Sequence, residues 1–175
     1  MRRSSLRPLR AAALVASTAL LATGCAGVPF AFAGGQEPER DGATGEVVES
    51  VEADPFALRV GDCLDSLQGI TGEYEEVESI LTVPCGQAHD SEVYASHLIA
   101  DEKYPGDDGV IQQADDFCYA EFAGFVGMAY EDSGLDLSTL FPSSDSWKYM
   151  DDREILCLVV DPAGGVTGTL AGAAY

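Results

Sequence analysis

Cys85, His89, Asp90 and Glu92 fall within eight residues of the stretch TVPCGQAHDSEVYA, residues 82–95. A thiol, an imidazole and two carboxylates at this spacing can serve three kinds of chemistry. A Cys85 thiolate paired with His89 would be a nucleophile, provided the thiol is ionised. His89, Asp90, Glu92 and the later His97 are all metal-ligand types, though two histidines among scattered carboxylates are a weak set. A carboxylate pair near His89 would suit acid–base hydrolysis, but the chain holds 30 Asp and Glu. In so acidic a chain, carboxylate proximity in sequence discriminates little. The plainer alternative is that Cys85 is half of a disulfide and that His89 and Asp90 satisfy backbone groups of a turn between two strands.

Arg153 and Trp147 extend this set. A lone arginine beside a hydrophobic strand needs a carboxylate partner if it is buried. Asp62, Asp90 and Glu92 are the candidates at the turns around Cys63 and Cys85. Trp147 is expected to pack at the same end. His89, Asp90, Arg153 and Trp147 therefore form either one polar network or the lining of a binding pocket, with the network favoured. No metal and no cofactor is expected. GDDG (106–109) and DSGLD (132–136) do not match an EF-hand loop.

The compartment decides between thiol and disulfide. Arg2, Arg3, Arg7 and Arg10 precede an uncharged apolar run, Ala11 to Ala22. That is the n-region and h-region of an export signal, too short for a comfortable membrane span. LATGC, residues 21–25, resembles the lipobox of bacterial lipoproteins, with Ala22 where Leu is commoner. The resemblance implies cleavage before Cys25 and a lipid on its sulfur. Two or more acyl chains would anchor the protein lastingly. The competing site is AFAGG, where cleavage after Ala33 would release a secreted form. No later stretch is apolar enough to span a bilayer.

Five cysteines leave four once Cys25 is set aside. Cys63, Cys85, Cys118 and Cys157 show no CxxC spacing, so neither a dithiol redox motif nor a zinc ribbon is suggested. Outside the cytoplasm, two disulfides are expected. Cys118 lies on the apolar stripe of a helix. Cys157 shares a strand face with Ile155 and Val159. If that face meets the helix, Cys118 pairs with Cys157, and Cys63 with Cys85 by elimination.

Charge excludes several classes of partner. Removing residues 1–24 takes four arginines and no acid, so nine basic and 30 acidic residues become five and 30, a net of −25. Such a chain is repelled by nucleic acid and by anionic lipid. The absence of Asn excludes N-glycosylation.

The elements that must position these residues follow in order. Residues 25–55 hold Cys25 and an acidic, aperiodic stretch that reads as a flexible linker. Residues 56–173 are one domain's worth of chain. FALRVGDCLD (56–65) is extended and enters a turn at Gly61–Asp62. ESILTVPC (78–85) and SEVYASHLIA (91–100) are strands, the second with Val93, Ala95, His97 and Ile99 on one face. YPGDDG (104–109) breaks the chain, and Asp107 or Asp108 caps a helix reaching about Tyr130. Its stripe is Ile111, Ala114, Cys118, Phe122 and Phe125. LDLSTLFP (135–142) reads as a short helix or turn. EILCLVV (154–160) is the central strand, and VTGTL (166–170) an edge strand. The result is an α+β domain: a mostly antiparallel sheet packed by one main helix, with two disulfides.

The ordered set VGDCLD (60–65), VPCGQAHDSEVYA (83–95), YPG (104–106), the helix Cys118, FVGMAY (125–130), SWKYMDDREILC (146–157) and TGTLAG (167–172) resembles the septum formation family of exported and membrane-anchored actinobacterial proteins. The chain departs from its pattern at Ala88, where the family usually has Pro, and at Asp151, where it usually has Gly. The resemblance implies a role in septum formation or the cell envelope and no established catalytic residue. The expected function is a non-enzymatic extracytoplasmic lipoprotein domain at the outer face of the membrane, acting on a protein or envelope partner. The alternative is an envelope hydrolase or metal-dependent enzyme with its site near His89.

Overall fold

The computed structural model describes residues 35–65 and 77–175, all within the unit Phe32–Tyr175. The expected lipidation of Cys25, the signal segment and the Ala33 cleavage site lie outside the described residues.

Among the described residues, six strands and two α-helices follow in the order β1 (Val51–Ala53), β2 (Cys63–Leu64), β3 (Ile80–Val83), β4 (Ser91–Leu98), α1 (Asp107–Val126), β5 (Asp136–Leu140), α2 (Ser144–Tyr149) and β6 (Glu154–Val160). The strands form one antiparallel sheet, ordered β1-β3-β2-β4-β6-β5. The fold is the α+β arrangement expected from the pattern, and β6 lies inside the sheet between β4 and β5. Its apolar run, buried from Ile155 to Val159, suits a strand covered on both faces.

Each face of the sheet has its own core. On one face α1 contributes Val110, Ala114, Cys118, Phe122 and Val126, packed on Ile155, Cys157 and Val159. On the other, Ala53, Leu64 and Ile80 of β1, β2 and β3 meet Val93, Leu156 and Leu158, so the sheet curls over itself. The two disulfides serve these two layers. Cys118–Cys157 joins α1 to β6, and Cys63–Cys85 joins β2 to the turn after β3.

Several local expectations are corrected. The helix stripe runs through Val110 and Val126 rather than Ile111 and Phe125, which are half-buried. Its N-cap is Gly106, without a side-chain cap; Asp107 and Asp108 sit in the first turn, where the helix dipole favours acids. The helix stops at Val126 because Gly127 takes φ 82°, a left-handed cap that costs glycine little. The alternation of β4 breaks at a register shift between Val93 and Ala95. Val93 enters one core, whereas Tyr94 and Ala95 both pack toward α1. Extra residues of this kind are what a bulge inserts. DLSTL is β5, not a helix: pairing to β6 along its whole length satisfies its backbone. VTGTL makes a single bridge, Val166 to His89, and is otherwise irregular.

The largest correction concerns residues 35–55. Acidic, aperiodic composition points to a flexible linker, yet these residues belong to the domain. β1 pairs with β3 from Val51 to Ala53, and Gln36 bridges Ala53. A Cβ on Gly35 would lie 2.0 Å from the Ala53 carbonyl carbon, so the backbone approach leaves no room for a side chain. Val47 is buried. Arg40 crosses to Asp62, the contact that composition cannot reveal.

Candidate functional site

The polar side chains singled out by the sequence gather at two opposite ends of the β4–β6 pair. Ser91 stands opposite Val160, and Leu98 opposite Glu154. His89 and Asp90 precede β4 at the first end, and Arg153 precedes β6 at the second. A strand of seven residues separates the two ends by about 20 Å. His89, Asp90, Arg153 and Trp147 therefore do not converge on one pocket or network.

The first end is a buried polar cap over the Cys63–Cys85 bridge. His89 is fully buried, and its Nδ1 lies 2.8 Å from the Gln87 carbonyl. A carbonyl only accepts, so that bond requires hydrogen on Nδ1. The backbone N–H of His89 donates to Val166 O at 3.0 Å, and Val166 N–H returns to His89 O at 2.9 Å. Nε2 is buried and has no hydrogen-bond partner among the described residues. Asp90 accepts from Ser91 Oγ at 2.7 Å, and its carbonyl accepts from Asp161 N–H at 2.7 Å. Glu92 accepts from Thr169 Oγ1 at 2.9 Å and from the Leu170 N–H at 2.7 Å. The Glu92 carboxylate and the Asp90 carbonyl thus hold the C-terminal segment against the start of β4.

Arg40 supplies the cation at this end. Its Nη1 and Nη2 donate to the two Asp62 oxygens at 2.5 and 2.8 Å. Nη2 also reaches the Ala57 carbonyl at 3.0 Å, and the Arg59 N–H donates to Asp62 at 2.8 Å. The Asp62 hydrogen bond raises the Arg40 pKa, against the opposing effect of burial. Arg40 was the partner to look for: it is one of five basic residues beyond residue 24. Its place in an acidic run made it read as part of a tether.

The expected pairing of Arg153 with Asp62, Asp90 or Glu92 is therefore wrong. Arg153 donates to the Trp147 and Asp152 carbonyls at 3.0 and 2.6 Å and meets Asp151 at 3.0 Å. Its guanidinium stacks 3.7 Å above the Trp147 ring. Trp147 also packs edge-on to Tyr104, at 5.5 Å between centroids. The two residues do share an end of the molecule; it is the end away from His89. Short α2 is aligned for this contact by a reciprocal capping box between Ser143 and Ser146.

The remaining candidates are placed apart. His97 stacks on Phe117 of α1 with centroids 4.7 Å apart, so it shares no site with His89. Cys85 is in a disulfide and is not a nucleophile. Among the described residues, no three His, Cys, Asp or Glu side chains come together as metal ligands. No helix among them is long and apolar enough to cross a membrane. The disulfides are compatible with an extracytoplasmic location. Comparisons with family models, curated proteins and solved structures each give no match.

Proposed function

We propose that this chain is a non-enzymatic extracytoplasmic domain, lipidated at Cys25, that binds a protein or envelope partner during septum formation. The septum role rests on the ordered motifs from VGDCLD to TGTLAG. The observation that carries the binding reading is the employment of the reactive-looking segment. Cys85 is bonded to Cys63, Glu92 to Thr169 and Leu170, and His89 Nδ1 to Gln87. Each of these groups holds one piece of backbone or chain to another. None is presented at the surface as a nucleophile or base. With residues 35–54 packed into the domain, the segment left to act as a tether ends by Gly35.

Among the described residues His89 Nε2 has no hydrogen-bond partner, which favours the enzyme reading. Against it, the whole residue is buried, whereas a general base needs hydrogen-bond reach to its substrate.

The test uses the full chain in dividing cells. Labelled palmitate is expected in the wild type and absent from Cys25→Ser. Affinity capture of the wild type is expected to recover division or envelope proteins. Capture that recovers neither, or a palmitate-free mature chain beginning at Gly34, overturns the corresponding half of the proposal. Hydrolysis of envelope polymer that is abolished in His89→Gln would establish the enzyme instead.

A further inference from the structure

The sheet has two edges, and contacts among the described residues close only one of them. At the β1 edge Gln36 takes two backbone groups: its N–H donates to Glu52 O at 2.7 Å, and its carbonyl accepts from Asp54 N–H at 3.0 Å. The other edge is β5, with no strand beyond it. Leu137 to Leu140 are only half-buried there.

Hydrogen-bond parity identifies the free groups of β5. The Arg153 carbonyl accepts from Ile99 N–H at 2.8 Å, and Asp161 N–H donates to Asp90 O at 2.7 Å. Odd-numbered residues of β6 therefore turn their backbone groups toward β4, and even-numbered ones toward β5. The register sets Leu156, Leu158 and Val160 against Leu140, Ser138 and Asp136. That leaves the N–H and C=O of Leu137 and Thr139 pointing away from the sheet, without a partner among the described residues. Such a row is a template for another strand. The usual protections are missing: β5 contains no Lys or Pro, and its register with β6 runs without a bulge.

The sequence of β5 is its own complement. Set antiparallel to a second β5 about Ser138, Leu137 falls opposite Thr139 of the second copy, and Thr139 opposite Leu137 of that copy. Each of these pairs exchanges both N–H···O bonds, so every free group on the two edges is satisfied. Leu137 packs on the α1 face of the sheet and Leu140 on the other. By alternation Leu137 then meets Thr139 on the α1 face, while Ser138 meets Ser138 and Asp136 meets Leu140 on the opposite one. No like charges face each other. The two Asp136 residues stand four positions apart along the strands, about 14 Å, beyond the Debye length of about 8 Å at physiological salt. We infer that β5 is a self-association edge, through which two copies of this chain pair into one continuous sheet with two-fold symmetry. Five residues a side make a small interface, so the dimer is weak and reversible. The five basic and 30 acidic residues beyond residue 24 oppose it through general repulsion. Added salt therefore strengthens this contact, whereas it weakens one made with a basic ligand.

The first test expresses full-length Ser138→Cys in cells that export the chain. Facing residues of a non-hydrogen-bonded antiparallel pair stand about 4.5 Å apart at Cα, within disulfide reach. Non-reducing electrophoresis with peptide mapping is expected to show a dimer bridged at position 138. Asp136→Cys, about 14 Å from its mate, is expected to give none. The second test is sedimentation of the purified, oxidised chain. A monomer–dimer equilibrium that tightens between about 0.05 and about 0.5 M salt is expected. Thr139→Pro removes one outward N–H from each copy and spares the ladder to β6. Dimer affinity is expected to fall at least about tenfold in this variant, with the melting temperature unchanged. Absence of a dimer bridged at position 138, equal bridging at 136 and 138, or a dimer that Thr139→Pro leaves intact overturns the assignment. So does a chain that stays monomeric alone and gains amide protection in β5 only with an extended basic peptide.

Discussion

Arg40→Ala is the most informative single change, because it separates a packed segment from a tether. Arg40 and Asp62 retain only 9 % and 3 % side-chain exposure, and both guanidinium nitrogens of the pair are engaged. Truncation leaves the Asp62 carboxylate with the Arg59 N–H and no cation. Breaking a buried pair by removing one partner costs about 3–5 kcal/mol. Total stability of a domain is about 5–15 kcal/mol, so the variant loses a large part of it. The net worth of the pair is smaller than that penalty. Arg40 Nε is itself buried without an acceptor among the described residues, and both charges were taken from water. The double variant Arg40→Ala/Asp62→Ala should therefore cost less than the sum of the single variants, with a coupling of about 2–3 kcal/mol. The assay is urea unfolding of the oxidised protein, followed by far-UV circular dichroism and by Trp147 fluorescence. A loss below about 0.5 kcal/mol for Arg40→Ala is the value expected of an uninvolved surface residue. That result would refute the placement of residues 35–54 in the domain.

Four further outcomes are expected. Removing Cys118–Cys157 or Cys63–Cys85 as Ser pairs should cost about 3.9 and about 3.4 kcal/mol in the chain-entropy model, from sequence separations of 39 and 22; denaturant titration with intact-mass verification measures both. Under mild native reduction, alkylation should label Cys63 and Cys85 first, since Cys118 and Cys157 are both fully buried and Cys85 is not; simultaneous labelling of all four contradicts this. Burial raises the Tyr94 pKa beyond its ordinary 10, and burial with Asp107 takes Tyr104 to about 12. The hydrogen bond to Asp161 takes Tyr175 to about 12. These raised values favour the neutral phenol in the folded state, so their stabilisation is complete below pH 10 and declines as pH rises beyond it, by up to about 1.4 kcal/mol per pH unit for Tyr94; phenolate absorbance should show Tyr104 and Tyr175 ionising near pH 12 and Tyr94 silent until unfolding. Finally, Asp151→Gly should be more stable than Asp151→Ala by about 1 kcal/mol, because both lose the contact to Arg153 and only glycine accepts φ 57° without strain; equal melting temperatures would contradict the strained turn.

Much of the architecture was legible in the chain because it depends on local pattern. A sustained 3–4 spacing announces α1, and an unbroken apolar run announces β6. The position of Cys118 on one and Cys157 on the other then leaves a single pairing for the remaining cysteines. The same locality explains the errors. DLSTL is too short for periodicity to separate helix from strand, and its partner β6 settles it. The bulge after Val93 turns Tyr94 toward the helix, which no alternation rule foresees. The candidate site failed for a related reason. His89 and Arg153 look like partners because both flank strands, but antiparallel pairing of β4 with β6 sends the residues before each strand to opposite ends. Composition marked residues 35–54 as solvated, since aperiodic acidic chain has little apolar surface to bury. Tertiary structure overrode that through one bidentate ion pair and a three-residue strand, contacts made with Asp62 and β3 far along the chain. Spacing along the sequence determines which residues can share a helix stripe or a strand face. Which charges meet is decided only when distant segments pack, because a buried Arg takes whichever carboxylate the fold brings within reach.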